Sequence, residues 1–158
     1  ESSTNVEISY ATAWKSLVML EESMTQPIIR LNPSTLPDTS GIGYSQISVV
    51  EPGRMAWVSG QVAWRADGTA VPTGLAAQME VVAGNVRAAL ADLGAGPADV
   101  VMARVYVVDL TPERLDEMMP GFRALFGTAQ PSVTGIGVAA LAAPELQIEL
   151  ELVVRLPD

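Results

Sequence analysis

The chain has 158 residues, 49% of them hydrophobic, which suffices for one domain with a real core. Eighteen acidic residues against nine basic ones give a net charge of −9, which repels phosphate backbones and argues against a nucleic-acid partner. The sequence has no cysteine, no histidine and one lysine, Lys15, which excludes a thiolate nucleophile, a Ser-His-Asp arrangement, the usual zinc ligands and a Schiff-base lysine in the main body.

In residues 1–23, Tyr10, Trp14, Leu17, Val18 and Glu21 fall at helical spacing, and Met24 then opens a segment that reads like an ordinary protein start. Residues 1–25 are read as an N-terminal leader or extension, with a partner-binding helix as the alternative, and residues 26–158 as a single domain. No stretch reaches the eighteen or more apolar residues of a membrane span, so a cytoplasmic protein without a membrane partner is expected. Residues 31–43, rich in Pro, Ser, Asn and Gly, read as loop. After them QISVV and RMAWVSGQVAW, separated by Glu51-Pro52-Gly53, read as a hairpin, with a second turn at Ala66-Asp67-Gly68.

Thr73 is placed to cap a helix whose stripe is Leu75, Met79, Val82, Val86, Leu90 and Leu93, ended by Gly94-Ala95-Gly96-Pro97. VVMARVYVVDL, residues 100–110, is apolar on both faces and reads as an interior strand. Thr111-Pro112-Glu113 starts a second helix with the stripe Leu115, Met118, Met119, Phe122, Leu125 and Phe126, and Pro120 within it predicts a kink. In ELQIELELVVRL, residues 145–156, Leu146, Ile148, Leu150, Leu152 and Val154 share one strand face, opposite Gln147, Glu149, Glu151 and Arg155. Each helix has one apolar stripe, so the expected fold is α+β, a mixed sheet with both helices on one face. The other face, with Trp57 and Val101 or Val105, then calls for self-association.

Three constellations carry candidate chemistry. Tyr44, in Gly43-Tyr44-Ser45-Gln46, with Ser59-Gly60-Gln61 at a strand end, reads either as a pocket wall or as a loop tyrosine packed over a hairpin. Glu149 and Glu151 read either as water-positioning carboxylates or as a solvated strand face. Gly135 and Gly137 interrupt the strand QPSVTGIGVAAL, where glycine signals a bulge, a bend or room for a ligand. Neither Gly94-Ala95-Gly96 nor Gly41-Ile42-Gly43 has the spacing of a phosphate loop.

Taken in order, GYSQ, WVSGQ, the first helix, VVMARVYVVDL, QPSVTGIGVAAL and LQIELELVV resemble the Rid family of reactive-intermediate deaminases, also called YjgF-like, many of them labelled L-PSP endoribonucleases. The resemblance spans about residues 26–156. It implies a chorismate-mutase-like homotrimer with small-metabolite pockets at subunit interfaces, and hydrolysis of small imines or enamines without a cofactor or metal. It further implies catalytic roles for Tyr44 and Glu149 and substrate contacts at Ser59, Gly60, Val133, Thr134 and Gly135. Active deaminases of this family carry Pro-Ala-Arg-Ser/Thr where this chain has Pro131-Ser132-Val133-Thr134, so Val133 replaces the arginine that grips the substrate carboxylate. Met119 likewise stands where an asparagine is frequent. A valine cannot make the paired hydrogen bonds of a guanidinium, which implies a bulkier or uncharged ligand, or a binding trimer without catalysis. The ribonuclease label is set aside, because RNA cleavage needs acid-base partners and a cationic cleft.

Overall fold

In the last strand, β6 (Ile148–Arg155), Ile148, Leu150, Leu152 and Val154 are each at most 1% exposed, while Glu149, Glu151 and Val153 are half-buried. That alternation is the pleat of a strand with one face in a core. The computed structural model describes residues 27–158, so the leader assigned to residues 1–25 lies outside the described residues. Among those described, no helix is long and apolar enough to cross a membrane.

Helices α1 (Leu75–Asp92) and α2 (Pro112–Phe126) cover the apolar face. Leu75, Met79, Val82, Val86 and Leu90 of α1 are buried as their spacing predicts, and Gly94, at φ 64°, follows the helix end where a left-handed residue is needed. The N-cap is Gly74 rather than the expected Thr73, which makes no side-chain cap; its carbonyl instead accepts from Gln147 Nε2 at 2.6 Å. Thr111 does cap α2, its Oγ1 accepting from the Arg114 N–H at 3.3 Å. Pro120 removes one donor from this helix, yet the helix runs on to Phe126. The core also holds a glutamine. Gln78, fully buried in α1, donates to the carbonyls of Pro72 and Glu145 and accepts from the Gln147 N–H, each at 2.8 Å. Its amide is satisfied, so its burial costs little.

The main sheet has the order β3-β6-β4-β5, with β3 at Met55–Gln61, β4 at Val100–Val108 and β5 at Ser132–Val138. β6 is antiparallel to both neighbours, whereas β4 and β5 are parallel and joined through α2. The turn at Ala66-Asp67-Gly68 forms, with the Gly68 N–H on the Arg65 carbonyl at 3.1 Å.

Two further expectations fail here. β2 (Ile47–Val50) does not form a hairpin with β3; it pairs with an unanticipated strand, β1 (Ile28–Leu31), in a separate two-stranded sheet. Arg30 and Ser48 decide this docking, because both donate to the Val101 carbonyl, at 3.2 and 3.0 Å, and Arg30 also reaches the carbonyl of Val100 at 2.5 Å. Second, β4 is not apolar on both faces. Ala103, Val105 and Val107 are buried under the helices, whereas Met102, Arg104 and Tyr106 occupy the bare face with Glu149, Glu151 and the 74% exposed Trp57. Val105 therefore needs no partner, while Trp57 remains uncovered as expected.

The helices meet closely at Gly121, where a Cβ would lie 2.7 Å from Met79 Cγ. Gly121→Val should therefore lose about 1–3 kcal/mol by overpacking, read by chemical denaturation.

Candidate functional site

A cavity of about 440 Å³ opens between α2 and the β4–β5 end of the sheet. Tyr44, Met119, Phe122, Arg123, Val133 and Gly135 are among the residues lining it. The register explains the strand contribution: Val133 pairs with Ala103 and Gly135 with Val105, so both sit on the helix side. Pairing continues unbroken from Ser132 to Val138, so neither glycine of β5 marks a bulge. Gly135 faces open space, with nothing within 4 Å of a Cβ placed there, and leaves the cavity wall thin. Gly137 serves packing, since its Cβ would lie 3.1 Å from Leu110 Cβ.

Tyr44 reaches the cavity from a loop held at several points. The Ser45 N–H donates to the Pro131 carbonyl at 3.1 Å, Thr39 Oγ1 donates to the Tyr44 carbonyl at 2.8 Å, and Gly43 takes φ 110°. Of its two readings, the structure places this tyrosine in a cavity wall. Among the described residues, Arg123 is the only cation lining the cavity, and Asp116 the only anion. The sequence reading passed over both, although Arg123 follows Met119 by one helical turn and so shares its face.

Glu149, Ser59 and Gly60 lie elsewhere, on the β3–β6 side of the sheet. Pairing of β3 with β6 shifts register between Val58 and Gln61, and the Glu149 carboxylate fills the space where a side chain at position 60 would stand. Gly60 is therefore a seat for Glu149. Ser59 is exposed, and its carbonyl accepts from Gln61 Nε2 at 3.0 Å.

The two carboxylates of the pair differ in their surroundings. Glu151 is bonded to Arg104 and accepts from Tyr106 Oη at 2.9 Å, whereas Glu149 has no hydrogen bond to another described residue. The bond to Glu151, reinforced by desolvation, holds the Tyr106 phenol above its ordinary value of 10.0. Neither Arg104 nor Arg155 lines the cavity. Arg104 is paired with Glu151, and Arg155, 5% exposed, donates to the carbonyls of Leu156 at 2.9 Å and Pro52 at 3.3 Å. Thr134 pairs with Arg104 and is exposed on the opposite side of β5 from Val133. Within one chain, then, Tyr44, Val133 and Gly135 come together, Ser59, Gly60 and Glu149 come together, and the two groups stay apart.

Gly60→Ala should expel the Glu149 carboxylate and lower stability, and Glu149→Ala on top of it should recover much of the loss. A double-mutant cycle by denaturation should read a coupling of roughly 0.5–3 kcal/mol. A raised folded-state pKa at Tyr106 means that its contribution is complete below the unfolded value and is lost as pH rises through the folded one. The stability gap between the native chain and Tyr106→Phe should accordingly shrink as pH climbs past about 10.

The family model described as Endoribonuclease L-PSP matches residues 37–156. The Rid-family protein YyfB from Yersinia pestis is 37% identical, with a TM-score of 0.78 over 83% of this chain and 100% of that one. Rv2704 from Mycobacterium tuberculosis, a member of the YjgF/YER057c/UK114 family, is 28% identical, with a TM-score of 0.57 over 82% of this chain and 99% of that one. No curated protein matches the chain. Two helices on one face of a mixed sheet, the family model across most of the chain and the likeness to YyfB agree: the chain belongs to the Rid family, also known as YjgF or L-PSP.

Proposed function

We propose that the chain forms a homotrimer with a small-metabolite pocket at each subunit boundary, and that water held by Glu149 hydrolyses an imine or enamine there without a cofactor. The observation that carries this reading is the separation of the two groups of site residues. The order β3-β6-β4-β5 puts Val133 and Gly135 on one edge strand and Ser59 and Gly60 on the other. Only a head-to-tail contact brings opposite edges of two copies together, and such contacts close into rings when the rotation allows. The exposed Trp57 and the bare sheet face give that contact apolar surface.

In the completed pocket, Glu149 takes a proton from water as the water oxygen attacks the imine carbon. The nitrogen gains protons, the C–N bond breaks and ammonia leaves a carbonyl product. Tyr44 donates toward the developing charge, and Ser59 with neighbouring backbone N–H groups orients the substrate. Val133 favours a bulkier substrate than a simple amino-acid-derived imine, and it also favours the second reading, a trimer that binds a metabolite without turning it over. The net charge of −9 and the absence of histidine weigh against carrying ribonuclease activity over from the family label.

Ammonia release from freshly generated 2-iminopropionate tests the role of Val133. The native chain should be slow, and Val133→Arg should accelerate it by roughly one to three orders of magnitude, the worth of a buried charged partner. In that background Glu149→Gln and Tyr44→Phe should each abolish turnover, and mixing the two variants should restore about one boundary in four of a randomly assembled ring. Fast native turnover that Val133→Arg leaves unchanged would refute the role given to this valine, and variants that never complement would refute the shared pocket.

A further inference from the structure

We propose that Arg123 is the carboxylate-binding group of the cavity beside Tyr44, and that the ligand is a monocarboxylate with an apolar body. This names the ligand class of the pocket proposed above and rests on that pocket being a ligand site. Four observations lead to it. The cavity is walled by Val133, Met119, Phe122 and the bare backbone of Gly135, so it accommodates an apolar body next to the strand. Its size of about 440 Å³ suits a small organic molecule.

Second, among the described residues Arg123, itself exposed, is the only cation lining it, and it takes part in neither of the two ion pairs, Arg104–Glu151 and Arg155–Asp158. Third, its side chain is already fixed at one point. Arg123 Nε donates to the Ile42 carbonyl at 3.3 Å, while no bond to a described residue occupies its terminal nitrogens. A guanidinium tethered through Nε keeps donors free for a carboxylate, with less freedom to lose on binding. Fourth, Asp116 lines the same cavity seven residues earlier on α2, about 10 Å along the helix axis. It is too distant to cancel Arg123 and would repel a second carboxylate at that end, which limits the ligand to a single acid group.

The geometry thus moves the cation from β5 to α2. A carboxylate at Arg123 lies against the loop carrying Ile42 and Tyr44, and the volume beside Val133 is left to the rest of the ligand.

The test compares 3-phenylpropionate with its neutral isostere 3-phenylpropionamide, titrated calorimetrically into the full chain. The acid should bind at least about tenfold more tightly than the amide, with a ratio that falls as salt is added. Arg123→Gln should bring the ratio to about one while weakening the amide far less than the acid, so that the remaining amide binding reports an intact cavity. Arg123→Lys should keep part of the preference, because it retains charge without the planar fork. If Arg123→Gln disturbs the cavity and loses the amide as well, Arg123→Lys decides: an acid preference there supports the proposal, and none overturns it. Equal binding of acid and amide to the native chain, a preference that survives Arg123→Gln, or no binding of either probe also overturns it. All these groups belong to one chain, so an acid preference that persists without trimer formation or ammonia release leaves this inference standing and removes only the hydrolytic one. Turnover dependent on Glu149 without an acid preference does the reverse.

Discussion

Adjacent residues of β6 are delivered to opposite sides of the sheet, Leu150 into the core beneath the helices and Glu149 and Glu151 to the bare face. Strand geometry imposes this, and the rest of the molecule is arranged around it. A slip of one residue would bring two carboxylates under α1 and α2 and expose four large aliphatic side chains, so the register is strongly specified. The polar bonds follow the same division. Gln78 ties α1 to the loop before β6 on the covered side, while Arg104, Tyr106 and Glu151 bond to one another on the other.

A face that holds an ion pair, a bonded phenol and an exposed tryptophan is neither a finished surface nor a second core. Arg104 and Glu151 meet only part of each other's hydrogen-bonding capacity, and Trp57 offers a large apolar area beside them. Mixed polarity of this kind suits an interface that retains water better than one that excludes it. Glu149 has no partner among the described residues and sits against a glycine with no side chain to crowd it, which is why the proposed hydrolysis assigns the water to Glu149 rather than to Glu151.

Much of this was legible in the sequence where the signal is local. The stripes of α1 and α2, apart from the 43% exposed Leu115, the cap at Thr111, the alternation of β6 and the turn at Gly68 each depend on residues within a few positions of one another. The pairing of β1 with β2 was hidden, because what docks it is the reach of Arg30 and Ser48 to Val101, about which no local pattern speaks. Thr73 looked like a cap by composition, but the helix starts one residue later, with Gly74 at the N-cap. At the site, Tyr44, Val133 and Gly135 were named through their resemblance to family motifs, and the register brings them to one cavity. Arg123 escaped notice because a charged residue beside a helical apolar stripe reads as a solvent-facing position, and Arg123 is indeed exposed. What adds it to the cavity lining is the loop at Ile42, distant in sequence, whose carbonyl accepts from its Nε.

The position of a cation within such a pocket affects what the pocket can distinguish. An arginine rooted in a strand such as β5 has its backbone held by the ladder to the neighbouring strand and projects from a rigid wall, so it fixes where a carboxylate sits to within a narrow range. Arg123 is rooted in a helix and steadied by a single contact to a loop carbonyl, and its terminal nitrogens can follow a carboxylate as the ligand changes length. The wall opposite, Val133 and Gly135, imposes shape without polar demands. A site built this way gives up some strength of grip on the smallest acids and gains tolerance for the body attached to them, because burying apolar surface against Val133 and Phe122 contributes affinity whatever the exact outline. In the hydrolytic ring proposed above, selectivity would rest on the distance between the ligand carboxylate and the reacting carbon, and so on how far Glu149 of the next copy lies from α2.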